Sequence, residues 1–446
     1  MKSQILSLKH SDGKLQRYEI VSEFSFNQLN FGESKFIKKS VWGIKRLYEA
    51  NIMVKDPSLF KRIIFYHFPE KGELVLPKET EEGIFFDKQL LLTQWMEQEF
   101  KKGNLNFDGN NISCKNKSLE SIIKGMKNSQ LLEISIGKGK DTYFIPVSSS
   151  LGYASQSGEK NFCNSNFFLM DPTDKDSPYD SFGTGYGLLV KDGEIILPPA
   201  LHRKAFFLDD NNNISIVTPE VSKLKIYLDG KTYTSQNSRI FERPSSLFSK
   251  AGDVTDIVIS GRKVVAIHKG GNSRLPMAGF VLQIKGEVNL KDLNVSYSGF
   301  ENIKFAIQIG PILINKKDCM KSLETPFFDP DKDTIAFPPT SYPLSFEKGR
   351  AARIALGVKD GLPLLIWAEG PSKIDNSSGM ESAGVSLKEF TDFGCSLDLD
   401  YLVNLDGGGS SQLVVDGTKK LRICDRDADN NLEIERPVPN FLIIEE

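Results

Sequence analysis

From about residue 131 the chain is a succession of short apolar runs broken by glycine turns, and that pattern leaves room for little except sheet. The runs include LLEISI, DTYFIPV, GLLVKDGEIILP, SKLKIYLDGKTYT, DIVISGRKVVAIHK, GFVLQIKGEV, FAIQIGPILI and RIALGVKDGLPLLIWAEG. Several read strand, Asp-Gly or Ser-Gly, strand, which is the strongest short-range signal for a hairpin. Asp192-Gly193, Ser260-Gly261 and Asp360-Gly361 are such turns. Their spacing is irregular, so the pattern is one of repeated hairpins and not of a fixed-period solenoid. In QIGPILI, Gly310 and Pro311 interrupt a strand and predict a bend.

One segment in this region reads as helix. In GVSLKEFTDFGCSLDLD, Ser386 can cap, Glu389 three residues on completes a capping box, and Gly394 is expected to stop the helix. The chain then enters YLVNLDGGGSSQLVVDG, where runs over 401–405 and 412–415 are long enough for strands but not for helices.

Residues 1–130 differ in texture. SVWGIKRLYEANIMV, LLLTQWMEQEFKK and KSLESIIKGMKN carry apolar residues at helical spacing, with Ser118 as an N-cap for the last, and KRIIFYHF reads as a strand. The expected fold is therefore α+β: a β-rich mixed sheet of repeated hairpins with a few helices over 131–446, preceded by an α+β accessory segment over 1–130.

A chain of 446 residues is long for one domain, which agrees with that division. The formal net charge is −2 and no long basic stripe is present, so nucleic-acid binding has no electrostatic support. No window approaches the length of a membrane span, and the opening MKSQILSLKHSDGKLQ lacks the apolar core of a signal peptide. The expectation is a cytoplasmic protein, or one exported without a cleavable signal. Abundant Lys, Asn, Phe and Ile suit a low-GC bacterial genome. Cys114, Cys163, Cys319, Cys395 and Cys424 are odd in number and without CxxC spacing, which reads as buried thiols in a reducing compartment. Four scattered histidines argue against a histidine-rich metal centre.

Chemistry concentrates at the glycine turn. Asn404 and Asp406 stand at its mouth, Gly407, Gly408 and Gly409 form it, and Ser410 and Ser411 follow. Consecutive glycines allow a ligand close to the main chain, while N–H and O–H groups can bind phosphate or sugar oxygens. An ionised Asp406 there can be nucleophile, general base or metal ligand. The bland reading is a hairpin whose turn merely needs glycine. Three further segments carry signals. Asn164 and Asn166 precede Phe167 and Phe168, a combination suited to sugars but also to a strand end entering the Asp171-Pro172 turn. Arg353 lies in an apolar run, where an unpaired charge is costly; it suits a phosphate or a structural ion pair. Asp425, Asp427 and Asp429 have the spacing of a calcium loop, but Asn430 stands where such loops need glycine and Arg436 where they need a bidentate Glu.

Taken in order, these segments resemble the phosphodiester glycosidase family. Its pattern runs from an Asn-Gly-x-Phe-Phe-like segment through a Gly-Pro strand and an Arg-Thr-Ala-Ile-Gly strand to a small helix and Asn-Leu-Asp-Gly-Gly-Gly-Ser. Similar stretches here are 164–168, 310–311, 353–357, 384–390 and 404–410, with SGRKVVAIHKGGNSRLPMAGFVL between them and ERPVPNFLII at the end. Ser165 and Asn166 replace the glycines usual after the first Asn, Ile354 replaces a threonine, and Ala368-Glu369-Gly370 replaces an Asp-Gly turn. The resemblance covers about 131–446. It implies a hydrolase that cuts between a sugar anomeric carbon and a phosphodiester oxygen, as in N-acetylglucosamine-1-phosphodiesters. Arg353 then holds the phosphate, and Asp406 is nucleophile or base. Asn164, Asn166, Asn404, Gly407, Gly408, Gly409, Ser410 and Ser411 orient sugar and phosphate oxygens. Glu369 and Glu381 are candidates for a second carboxylate. No cofactor is firmly implied; a divalent cation at Asp406 stays open, without a complete ligand set. The alternatives are a non-catalytic glycan or sugar-phosphate binding module, and an effector-type protein whose residues 1–130 engage a protein partner.

Overall fold

The computed structural model describes residues 154–169, 187–320 (except 244), 351–370, 384–421 and 435–445 (except 437), together with 177, 179, 184 and 185; strands between residues 4 and 146 are described as backbone alone. The elements that build the site are strands β1 (Phe162–Asn164), β2 (Ile303–Gln308), β3 (Ile312–Asn315), β4 (Arg353–Lys359) and β5 (Leu362–Ala368), helix α1 (Leu387–Ser396), and strands β6 (Tyr401–Asn404), β7 (Leu413–Val415) and β8 (Asn440–Glu445).

The hairpin reading holds. Asp192 and Gly193, and Asp360 and Gly361, all have positive φ, the turn geometry whose twist matches the strands it joins. Val254–Ser260 pairs with Lys263–Lys269 around Gly261. The fold is more β-dominated than expected, with a single α-helix among the described residues. The sheets are also not mixed: every described strand pair is antiparallel. Two-residue turns impose this on the hairpins, because parallel neighbours need a crossover of a dozen residues or more.

Two sheets carry the site. One has the order Asp318–Cys319, β3, β6, β4, β5; the other has the order Gln28–Glu33, β8, β1, β7, Thr418–Lys419. The edge strand Gln28–Glu33 comes from ahead of residue 130 and runs beside β8 from Gln28↔Glu445 to Glu33↔Asn440. Ile354, Leu356, Val403 and Leu405 from the first sheet meet Cys163, Leu413, Leu442 and Ile444 from the second in one buried core, which Phe206 and Phe305 join from a third. Each side chain of this size stabilises by roughly 1.5–3 kcal/mol when fully buried. The core fixes the strand ends that the site uses. No helix among the described residues is long and apolar enough to cross a membrane.

Helix α1 begins as expected. Ser386 accepts from the Glu389 N–H at 3.2 Å, and the Glu389 carboxylate accepts from the Ser386 N–H at 2.9 Å. Gly394 does not stop it. The helix runs to Ser396, and Asp398 takes the left-handed conformation beyond it. Gly394 serves packing instead, because a Cβ there would lie 2.4 Å from Cδ2 of Leu402. One residue later, Cys395 is joined to Cys319 by a disulfide. This corrects the expectation of free thiols: α1 packs over the strand β3 and its short partner Asp318–Cys319, which brings residues 76 apart in sequence together. Cys163 does match that expectation, as a buried thiol. The three N-terminal helix expectations fall outside the described residues, apart from Met53–Val54, which form a short strand. In KRIIFYHF only His67–Phe68 are described, and they are strand.

Candidate functional site

The glycine turn is not a hairpin. β6, before it, and β7, after it, belong to different sheets. The bland reading therefore fails, because the turn has to carry the chain from one sheet to another. It does so as a tight 3-10 turn over Gly408–Ser410. A Cβ on Gly407 would sit 2.7 Å from the Ala352 carbonyl oxygen, so only glycine fits against β4 there. Gly408 has φ +59 and donates its N–H to that same carbonyl at 2.8 Å. The Ser410 and Ser411 N–H groups close the turn on the Gly407 and Gly408 carbonyls. The Gly408, Ser410 and Ser411 N–H groups are thus used within the fold itself.

The register of β4 against β6 brings the glycine turn to the end of β4. Ala355 pairs with Asn404 and Leu356 with Val403, and the Leu405 N–H continues the ladder to the Ile354 carbonyl at 2.9 Å. The ladder stops there, and Gly408, two residues past Asp406, donates to the Ala352 carbonyl, so the turn packs on the end of β4 that carries Arg353. Alternation along β4 puts Arg353 on the face that Ala355 and Leu402 turn towards α1, while Ile354 and Leu405 point into the opposite core. Arg353 is 3% exposed, and its Nε donates to the Val385 carbonyl at 3.3 Å, just before the cap of α1. Asp406 is half-buried. Arg353 also pairs with Ala368, so Glu369 follows at the same end of the β4–β5 hairpin. Glu381 lies outside the described residues.

Two of the amides expected from sequence, Asn164 and Asn404, bond to the main chain of this turn. Asn164 ends β1, and its Nδ2 donates to the Asp406 carbonyl at 2.7 Å while its Oδ1 accepts from the Gln412 N–H at 3.0 Å. The Asp406 N–H donates to Ser165 at 3.2 Å. Asn404 is fully buried, and its Nδ2 donates to the Leu405 carbonyl at 2.8 Å. Gly310 leaves β2 by donating to the Asn404 carbonyl at 2.7 Å, and a Cβ on it would lie 2.9 Å from that oxygen. Gly310-Pro311 is therefore more than a bend: it is where the chain switches sheets between β2 and β3. Asn166 accepts from Nδ2 of Asn440 at 3.0 Å. Asn166 Nδ2, Asn404 Oδ1 and Ser411 Oγ are buried without a partner among the described residues. Buried polar atoms left unmatched are costly, and several around one turn distinguish it from ordinary packing.

Sequence reasoning missed several contributors. Arg436, given no role in the closing ERPVPNFLII stretch or the calcium-like loop, is 7% exposed and its Nη1 donates to Ser410 Oγ at 3.2 Å. Gln412 links the two, since its Nε2 donates to the Arg436 carbonyl at 2.7 Å. Arg203 is fully buried, lies 5.2 Å over the Phe167 ring and donates to the Ile309 carbonyl at 2.7 Å. Gln308 accepts from the Leu188 and Ala200 N–H groups and donates to the Ala200 and Arg203 carbonyls, which fixes the loop that carries Arg203. A charged residue next to proline in an unremarkable segment was the available signal for Arg436.

Beside Asn164, burial pushes the Cys163 thiol from its ordinary 9.0 up to about 12, so it stays protonated and inert. Among the described residues no three His, Cys, Asp or Glu side chains gather as metal ligands. The calcium-like stretch from Asp425 to Asp429 and the Asp171-Pro172 turn lie outside them. An open cleft of about 460 Å³ lined by Asn212, Lys316, Lys317, Asp400 and Tyr401 lies at the other end of β4 and β6, away from the turn.

The family described as phosphodiester glycosidase has a sequence model that matches residues 222–445, half of the chain. No curated protein sequence matches the chain. Among solved structures the chain is similar to a hypothetical protein from Synechocystis, at 16% identity and TM-score 0.37, over 70% of this chain and 60% of that one. It thus spans less than two thirds of that protein's length. It is also similar to a protein of Burkholderia pseudomallei, at 15% identity and TM-score 0.41, over 83% of this chain and 86% of that one. A further similarity is to the zebrafish N-acetylglucosamine-1-phosphodiester alpha-N-acetylglucosaminidase catalytic domain, auto-inhibited by its pro-peptide, at 13% identity and TM-score 0.25, over 71% of this chain and 81% of that one. Asn164, Asn166 and Arg203 precede the span matched by the family model; the sheets bring them to it.

Proposed function

The chain belongs to the phosphodiester glycosidase family, and from that premise we propose that it hydrolyses the bond between a sugar anomeric carbon and a phosphodiester oxygen. Family membership supports a glycosidase-type hydrolase in general. The observation that supports the finer reading is the packing of the Asp406 turn on the end of β4 that begins with buried Arg353, through the Gly408–Ala352 hydrogen bond. A guanidinium fork matches two phosphate oxygens and stabilises the charge that develops on a departing phosphate. A phosphate monoester is a good leaving group, so general-acid help is needed less than for an ordinary glycoside.

In this reading the anomeric carbon sits over Asp406 with the phosphate towards Arg353. Asp406 takes a proton from water as the water oxygen bonds to the anomeric carbon, or it attacks that carbon itself and water later releases the sugar. In both cases the bond from the anomeric carbon to the phosphate oxygen breaks. The electron pair leaves on the phosphate monoester, and the products are the free sugar and that monoester. Asn164 and Asn404 hold the Asp406 peptide. Asn166 Nδ2, Ser411 Oγ and the Gly407 and Gly409 N–H groups are donors for sugar and phosphate oxygens. Of the two compartments expected from sequence, the Cys319–Cys395 bridge favours export, because disulfides persist in oxidising surroundings. Cell fractionation with thiol labelling of the two cysteines tests this; labelled, cytosolic protein would refute it.

The activity is tested by incubating purified protein with sugar-1-phosphodiesters and nucleotide sugars and following release of free sugar. Wild type turns over at least one of them, and both Asp406→Asn and Arg353→Ala lower kcat/KM by roughly 100-fold or more. Saturable binding without product would leave a sugar-phosphate binding module instead.

A further inference from the structure

The turn that carries Asp406 is closed into a ring by side chains from two other segments. Asn164 Nδ2 donates to the Asp406 carbonyl at 2.7 Å, and Asn164 Oδ1 accepts from the Gln412 N–H at 3.0 Å. Gln412 Nε2 donates to the Arg436 carbonyl at 2.7 Å, and Arg436 Nη1 returns to Ser410 Oγ at 3.2 Å. The Ser410 N–H donates to the Gly407 carbonyl at 3.1 Å, next in the chain to Asp406. Asn164 is 1% exposed, Gln412 5%, Arg436 7% and Ser410 0%, so water does not compete for these bonds. Across the turn from Arg436, the Gly408 N–H is held by Ala352, the neighbour of Arg353.

We propose that Arg436, acting through Ser410, is a positioning residue for Asp406; the proposal rests on the hydrolase reading above for its kinetic consequence only. Every other bond in the ring involves a main-chain group that stays in place when side chains change. The Arg436–Ser410 bond is the one made by two side chains, and it is charge-assisted. It ties the turn to the segment before β8 while Ala352 ties it to β4, so the Asp406 carboxylate keeps its place by the strand end that carries Arg353. A shift of about 1 Å in such a group costs on the order of 100-fold in rate. A guanidinium reaches a hydroxyl in a fixed plane, whereas a lysine ammonium holds it as a point on a flexible stem.

Two measurements on the full chain test this separately. The first is amide hydrogen exchange across 405–412 in wild type, Ser410→Ala and Arg436→Lys. Both variants should raise exchange there by about tenfold while the strands of the core keep their protection. Unchanged exchange in this segment overturns the proposal, whatever the enzyme does. The second is kinetic, on the substrate that wild type hydrolyses. Ser410→Ala and Arg436→Ala should lower kcat by roughly 100-fold with KM within about threefold. Free guanidinium, but not ammonium, should restore at least part of the kcat of Arg436→Ala and none of that of Ser410→Ala. Variants that lose thermal stability but keep wild-type kcat per folded molecule would make Arg436 structural only and overturn the positioning role. If wild type hydrolyses nothing while exchange rises as stated, the hydrolase reading fails and the Arg436–Ser410 lock on the turn stands.

Discussion

Gly408 donates its N–H to the Ala352 carbonyl at 2.8 Å, which holds the turn that carries Asp406 against the end of β4 where Arg353 begins the strand. The pairing of β4 with β6 limits how far the turn can move from that strand end. Gly407 makes this workable, since any side chain there would push the turn away from β4.

The shape of the arginine matters as well as its charge. Arg353→Lys keeps the charge, but a lysine cannot donate to the Val385 carbonyl with Nε while presenting a fork to phosphate. The expected result is a kcat/KM lower by about 10–100-fold, with a melting temperature close to wild type. Steady-state kinetics with a melting curve on the same preparation check it. A lysine variant with wild-type kcat/KM would remove Arg353 from the phosphate.

Asn164 joins the turn to β7, and its substitutions can be ranked. Asn164→Ala leaves the Asp406 carbonyl and the Gln412 N–H unmatched in a buried place, which costs about 1–3 kcal/mol. Asn164→Asp keeps the acceptor for Gln412 but turns a carboxylate oxygen towards the Asp406 carbonyl, so it should be the worse of the two. Denaturant midpoints of both variants test the order, and an Asp variant more stable than the Ala one would show that the amide donor is not what the site uses.

Neighbouring glycines in the turn should fail in different ways. Gly407→Ala brings a methyl group 2.7 Å from the Ala352 oxygen, and the backbone has to move. Gly408→Ala meets nothing within 4 Å but is held at φ +59, a strain of roughly 1–2 kcal/mol for a residue with a side chain. Gly407→Ala should therefore abolish most activity, while Gly408→Ala loses stability and keeps activity within a few-fold. Equal losses of activity in the two would place the requirement in the turn's flexibility and not in its contact with β4.

Much of this was legible in the sequence because local rules decided it. Asp-Gly turns, the Ser386–Glu389 capping box and the apolar alternation of 353–358 each depend on residues near one another. Asn164, Arg353, Asn404 and Asp406 stood out because polar groups interrupt apolar runs there. What stayed hidden depends on sheet order. Nothing local says that β6 and β7 lie in different sheets, so hairpin and site could not be separated. Arg436 and Gln412 reach the turn only because β8 and β7 flank β1. The Cys319–Cys395 bridge was missed for the same reason, since spacing along the chain does not reveal which strand end lies under α1. Gly394 misled because a glycine near a helix end usually stops it, whereas here the close approach of Leu402 requires it.

The disulfide should matter for stability and, through α1, for the site. It spans 76 residues of sequence, and a cross-link of that size stabilises by about 4 kcal/mol through the unfolded chain. It also ties the last turn of the helix whose cap follows Val385, the acceptor of Arg353. Treatment with a reductant should lower the melting temperature markedly and reduce activity below the new midpoint. Cys319→Ser/Cys395→Ser should reproduce both effects and be indifferent to reductant. A double variant as stable as the oxidised protein would show that the bridge contributes nothing to the fold.

Cys163 gives the pH dependence with a definite sign. Its thiol is fully buried in the core beneath Asn164, and burial raises it from 9.0 to about 12 because the thiolate loses its water. The unfolded chain releases this proton near pH 9 and the native protein only near pH 12. Between those values the unfolded state binds fewer protons, so stability falls as pH rises. Below pH 9 both states keep the proton and the contribution is complete. Three units correspond to about 4 kcal/mol in total, as an order of magnitude. Unfolding free energies from pH 8 to 11 should fall more steeply in wild type than in Cys163→Ala, whose own loss of buried volume is independent of pH. In the native protein at pH 8.5 iodoacetamide should leave Cys163 unmodified, and in denaturant it should alkylate it readily. Parallel pH profiles for the two proteins, or rapid native alkylation, would mean that the thiol is not sealed in the core that holds Asn164 in place.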